Sequence, residues 1–210
     1  MIPILGLLLA TAAPDAAMDA AMVRLPPVDE CAADPSFAAF REELDAIIAR
    51  RDADRLLAIV TDDATISFGG YEGPAGLVAL WGLDQPGESE MWGVLEMTLA
   101  FGCMVDPDGV RVSPSFFLQA GESDPFETYL VVTPEAPLLS APHPDADTVA
   151  LLDWDVLTWL GEEDGMYRMR LADGRTGYAE PGYVRGLLDF RAGFARRDGR
   201  WRLVFFVAGD

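Results

Sequence analysis

Lysine and asparagine occur nowhere in the 210 residues, so all 15 basic side chains are arginine. Without lysine, the glycine-bearing stretches Gly69-Gly70 and Gly73–Gly76 lack the Lys-Ser/Thr tail of a phosphate-cradling loop. No strand-helix-strand pattern frames them either, and they read as turns. His143 is the single histidine, set between Pro142 and Pro144 on an expected loop. A serine nucleophile needs a histidine base oriented by a third group, and the neighbourhood of Ser140 supplies no such pattern. Cys31 and Cys103 are the two cysteines, each without another Cys or His close by, which is a poor donor set for a metal. No calcium-type loop of spaced oxygen ligands is present. These absences lead us to expect a protein that is not an enzyme and carries no cofactor.

Positive charge is also scarce. The net charge is −20, and it is uneven: 5 arginines face 28 acids from Asp29 to Asp164, whereas 9 arginines face 5 acids from Gly165 to Asp210. Binding to nucleic acid needs a net basic surface, so no nucleic-acid partner is expected. The densest acidic pair on a turn, Asp62-Asp63, reads as a helix end or a solvated face before it reads as a cation site.

No apolar run is long enough to cross a bilayer, which takes roughly 20 residues. The longest, Ile2 to Ala13, has about 12. It fits the apolar part of an export signal over residues 1–13, with small residues in Ala10-Thr11-Ala12 before a cleavage point. The expected location is periplasmic or secreted, with no membrane span. In that setting Cys31 and Cys103 can form a disulfide, the alternative being two buried thiols. A bond between them closes a long loop and is worth about 4 kcal/mol in the chain-entropy picture.

What is present divides the chain in two. After an extended or mobile lead-in, residues 14–33, Asp34-Pro35 is a cap-and-proline helix start. Phe37, Phe40, Leu44, Ile47 and Ile48 then recur at helical spacing. Further helices are expected after Asp52 or Asp54, from Pro74 to Trp81, and from Ser89 to about Phe101, so residues 34–124 form an α-rich part. From Thr128 the period falls to two. Five short runs, Tyr129–Val132, Thr148–Leu152, Val156–Leu160, Tyr167–Leu171 and Thr176–Glu180, are separated by turn residues. A two-residue Asp173-Gly174 loop would set Met169 opposite Tyr178 and Leu171 opposite Thr176. Asp198-Gly199 marks a terminal hairpin over 189–210, with Phe194 facing Leu203, Ala192 facing Phe205, and Trp201 facing Arg196. Its last strand is apolar on both faces, so it should be covered on both and bridge the two parts.

Within 125–188 the residues Leu138-Leu139-Ser140-Ala141-Pro142, Val149 to Leu152, and Leu171-Ala172-Asp173-Gly174-Arg175-Thr176-Gly177-Tyr178-Ala179 resemble the bacterial Src-homology-3-like domain. That resemblance implies a small five- or six-strand barrel with a binding role at peptidoglycan or in protein contacts of the envelope. Arg51-Asp52-Ala53 through Asp62-Asp63-Ala64, together with Asp198-Gly199-Arg200-Trp201-Arg202-Leu203, resemble the start and end of the nuclear-transport-factor-2-like cone fold. The expected fold class is α+β, an α-rich region packed on a Src-homology-3-like barrel with an extra terminal hairpin.

Small barrels of this kind bind through groove aromatics, which give large contact area at low entropy cost. Trp154, Trp159, Tyr167 and Tyr183 are therefore the candidate ligand-binding residues, with Asp155 beside them to read a cationic group. The expected function is that of an exported envelope protein recognising a peptide, wall polymer or protein partner. The alternative is a small-molecule-binding or hydrolytic cone around Asp62, Phe68 and Trp81.

Overall fold

A computed structural model describes residues 23–209, so the expected export signal and the first part of the lead-in lie outside the described residues. In chain order the elements are α1 (Pro35–Arg50), α2 (Ala53–Ile59), β1 (Val60–Ser67), β2 (Tyr71–Glu72), α3 (Gly73–Trp81) and α4 (Met91–Ala100). Then come β3 (Met104–Val105), β4 (Arg111–Ser113), α5 (Phe116–Gln119), β5 (Thr128–Val131), β6 (Ala136–Leu139), β7 (Thr148–Leu152) and β8 (Val156–Glu163). The chain closes with β9 (Met166–Arg170), β10 (Thr176–Ala179), β11 (Val184–Gly186), β12 (Arg191–Arg197) and β13 (Arg200–Val207). Helices and two large sheets make this an α+β protein.

The first helix forms where the sequence places it. The Asp34 carboxylate accepts the backbone N–H groups of Ser36 and Phe37, two of the donors a helix start leaves unpaired. Its apolar stripe, Phe37 to Ile48, is buried against the first sheet, and Arg51 in the left-handed region ends it. Ser89 also acts at a helix start, accepting from Met91 N–H and donating to the Trp81 carbonyl.

The first sheet runs β2-β1-β13-β12-β4-β3. The terminal hairpin supplies its two central strands, with β13 parallel to β1 and β12 antiparallel to β4. One face of β13 sends Leu203 and Phe206 into the helical core, and Phe205 on the other face lines a pocket with Phe68 and Phe117. That accounts for its two apolar faces. Asp198 and Gly199 both have positive φ, as a two-residue primed turn requires. Phe194 faces Leu203 and Arg196 faces Trp201 as expected, but a bulge after Gly193 moves the rest by one residue, so Ala192 faces Phe206 rather than Phe205. The bulge sits where β-carbon space runs out: a Cβ on Gly193 would lie 2.1 Å from the Phe205 ring.

The second sheet runs β11-β5-β8-β9-β10-β6-β7, every neighbour antiparallel. No ladder joins its edge strands β11 and β7, so the hydrogen bonds record an open sheet and no closed barrel. Its core is Val131, Leu138, Leu152, Leu157, Met169 and neighbours. The Asp173-Gly174 turn is a correction. Leu171 N–H donates to the Arg175 carbonyl, so the loop has three residues, Ala172 to Gly174, and Gly177 faces Met169. Gly174, at φ 87, takes the left-handed place that such a loop gives to glycine. The shift turns Tyr178 outward, where its hydroxyl donates to Glu163 at 2.8 Å, and puts Gly177 inward, where a Cβ would lie 2.6 Å from the Leu139 carbonyl.

A third cluster, Phe116, Leu130, Val132 and Leu187 with Leu25, Phe101 and Trp154, joins the two halves. The described part of the lead-in runs along this seam and is pinned. Leu25 N–H donates to the Trp154 carbonyl and Val156 N–H to Val23. Cys103 N–H donates to Val28, and Glu30 N–H to Cys103. Cys31 and Cys103 are bonded, their Cα atoms 5.6 Å apart, and both are buried.

Candidate functional site

A cleft lined by five aromatic residues lies on the seam and has a volume of about 300 Å³. One wall is helix α4, through Val94, Met97, Thr98 and Phe101, a stripe at i, i+3, i+4 and i+7. This helix is apolar on two faces: Met91, Trp92, Leu95 and Leu99 fill the helical core, and the second stripe is left for the cleft. The other wall is the second sheet, through Tyr129 of β5, Tyr167 of β9, and Val184 and Arg185 of β11, with Pro181 at its edge. Pro114, Phe116, Asp189 and Phe190 complete it.

The aromatic groups form a row. Tyr129 stacks on Trp159 at 6.4 Å between centroids and meets Tyr167 edge-on at 5.7 Å. Burial holds the Tyr129 hydroxyl above its ordinary pKa, with Tyr167 and Asp189 adding to the effect, so it stays a neutral donor. Arg185 is clamped at the rim by the carbonyls of Val184 and Pro181, at 2.8 and 3.3 Å, and touches the Met97 sulfur. Asp189 accepts from Gly186 N–H at 3.1 Å. The residue borders the cleft and is open to solvent in part, and desolvation by the protein around it holds its pKa up, against the Gly186 hydrogen bond and the Arg185 charge. The cleft thus offers aromatic faces, an apolar helix wall, one carboxylate and one guanidinium. That set suits binding with orientation by a few polar groups.

The residues expected from sequence are split between two places. Trp159 and Tyr167 come together through Tyr129, and Tyr167 lines the cleft. Tyr183 ends the 3-10 turn Pro181–Tyr183 beside it and packs on the second-sheet core. Trp154 and Asp155 lie elsewhere on the seam. Trp154, at φ 60, is half-buried with its ring edge-on to Phe101 at 6.3 Å. Asp155 is 1% exposed and its carboxylate accepts from Asp153 N–H and the Arg24 guanidinium, at 2.7 and 3.3 Å. Its charge is thereby used inside the fold.

Tyr129, Met97, Arg185 and Asp189 were not among the expected site residues. The signal that could have found the helix wall is the second stripe, Val94 to Phe101, on a helix whose other face already had its core residues. Of the alternative trio, Asp62 is exposed on β1, Phe68 borders the Phe117–Phe205 pocket, and Trp81 packs on Phe190 and Phe206. Among the described residues, no group of three or more His, Cys, Asp or Glu side chains is placed to hold a metal ion, and no helix is long and apolar enough to cross a membrane. No family model, curated protein or solved structure matches the chain.

Proposed function

We propose that this chain is an exported, non-enzymatic binding protein of the cell envelope. Its site is the seam cleft, and its ligand is a short extended segment of peptide or wall polymer. The observation that carries the reading is the convergence of Tyr129, Tyr167 and Arg185 of the second sheet on the largely apolar face of α4 that carries Val94, Met97 and Thr98. Aromatic-walled grooves with few polar groups hold extended ligands by area, and use the polar groups for register. The antiparallel run β8–β9–β10 with β6 agrees with a second sheet built as a variant of the bacterial Src-homology-3-like domain. The Cys31–Cys103 bond agrees with an oxidising compartment.

Co-sedimentation with purified peptidoglycan, and titration with its released stem peptides, tests the reading. Wild-type protein should be retained by the one or titrated by the other. Tyr167→Ala should weaken binding about tenfold, in line with the loss of one aromatic anchor, in a variant that still folds but melts somewhat lower, because the ring also packs on Tyr129 and the second-sheet core. Equal binding by both proteins, or none by either, would remove the cleft from consideration.

A further inference from the structure

Four of the 15 arginines of this acidic chain line one concavity. Arg55, Arg196, Arg200 and Arg202 share it with one carboxylate, Glu43, and it measures about 510 Å³ between the tip of the β12–β13 hairpin, the first half of α1, and α2. Its apolar lining includes Phe40 and Ile59. Of the four guanidinium groups, Arg55 has an ion-pair partner, Glu43 at 2.7 Å. Among the described residues, Arg196, Arg200 and Arg202 have no carboxylate within 4.0 Å.

Two of these three heads are nevertheless held in place. Arg196 donates to the Ser36 hydroxyl and lies over the Trp201 ring, 5.2 Å from its centroid. Arg202 donates to the Ala58 carbonyl. A guanidinium has five N–H donors in a planar fork, so each keeps donors for a ligand and loses little further freedom on binding one.

We propose that this concavity binds a small amphipathic carboxylate: one acidic headgroup in the arginine fork, on an apolar body lying over Phe40 and Ile59. Charge complementarity selects an anion, since planar carboxylate oxygens match the guanidinium fork. The apolar lining selects a body without charge. The rest of the chain selects low ligand charge. A protein of net charge −20 opposes an incoming anion in proportion to that anion's own charge once the two are within about a Debye length, roughly 8 Å at physiological salt, beyond which salt screens the repulsion. A monoanion therefore meets the arginines with the least opposing field. The site is separate from the seam cleft and stands whether or not that cleft binds a polymer.

Displacement of dansyl-labelled undecanoic acid from the full exported chain at physiological salt tests the proposal, with decanoate, decyl phosphate and decanol as competitors. Decanoate should displace the probe, and decanol should be at least about tenfold weaker, the equivalent of one charge-assisted contact. Arg200→Gln with Arg202→Gln should weaken decanoate by about tenfold or more. Arg168→Gln with Arg170→Gln, the same charge change on the second sheet, should leave it as it was. Arg200→Gln alone should cause a smaller loss in the same direction, since among the described residues the Arg200 side chain makes no hydrogen bond or ion pair that its removal could break. Failure of decanoate to displace the probe, equal competition by decanol, or equal loss in both double variants would overturn the proposal. Decyl phosphate outcompeting decanoate would overturn the choice of carboxylate.

Discussion

The polar atoms of individual side chains decide which candidates face a ligand. Asp155 and Asp189 carry the same chemistry in opposite circumstances. Asp155 is closed in by a backbone N–H and Arg24, whereas Asp189 borders the cleft with its pKa raised by desolvation. A raised carboxyl pKa means that the folded chain keeps a proton the unfolded chain has already lost. Its contribution to stability is full below the unfolded carboxyl value, about 3.9, and is lost as pH rises through the folded value. Asp189→Asn keeps an oxygen to accept Gly186 N–H and removes the titration. The difference in unfolding free energy between variant and wild type should therefore shift in the variant's favour from pH 3.5 to pH 7. Urea titrations at the two pH values measure it, and a constant difference would show that Asp189 titrates normally. Trp154 illustrates the other case. Its ring packs on Phe101 in the cluster that joins the halves, so Trp154→Ala should cost about 2 kcal/mol of stability, less than a fully buried tryptophan. The same urea titration measures this, and unchanged stability would mean the ring contributes surface rather than packing.

Elements were legible where one periodicity and one set of end signals agreed. α1 has a cap, a proline and a single apolar stripe, and it runs where those signals put it. β6 was not legible as a strand, because Pro137 cannot donate to a ladder. It is tolerated there because β10 pairs with β6 only at Leu139, so the Pro137 position is left without a ladder partner on that side. Both hairpins were recognisable by their Asp-Gly pairs, and both differ from the expected register by one residue over part or all of their length. The causes differ. The first hairpin closes through a three-residue loop, a register that also lets Gly177 pass the Leu139 carbonyl of β6, and in the second the ring of the cross-strand partner Phe205 lies over Gly193, a side-chain contact that a turn rule does not contain. Gly193→Ala tests this directly. The added methyl has to move the Phe205 ring or reopen the bulge, and overpacking of this kind costs roughly 1–3 kcal/mol. Chemical denaturation should show that loss. A neutral or stabilising effect would mean the ring moves freely, and that the bulge has another origin. The cleft was half legible for a related reason: Tyr167 was visible in its strand, but its α4 wall is defined only by what the opposite face of that helix already buries.

Across the whole molecule, the two sheets are joined by the seam cluster and by the extended segment that laces it. Residues 23–31 hydrogen-bond to the second sheet at Trp154 and Val156, and to the first half at Cys103. The Cys31–Cys103 bond fixes one end of this lace. Two effects should therefore follow from its removal. The first is global: opening a loop closed over a sequence separation of 72 should lower stability by about 4 kcal/mol, a large share of the roughly 5–15 kcal/mol that holds a domain folded. The second is local: with Cys31 free to leave Cys103, the lace should fray from the second sheet before either core opens. In a Cys31→Ser/Cys103→Ser variant, hydrogen exchange at the Val156 N–H, which donates to Val23, and at the Leu25 N–H, which donates to the Trp154 carbonyl, should quicken more than at Phe206 or Met169 in the two cores. A uniform increase across all four amides would reduce the disulfide to a general stabiliser. Alkylation of two thiols in the unreduced native protein, read by mass spectrometry, would remove the bond itself. Because the lace and the cleft share the same seam, selective fraying should also weaken the binding proposed for the cleft at Tyr167, although neither cysteine lines it.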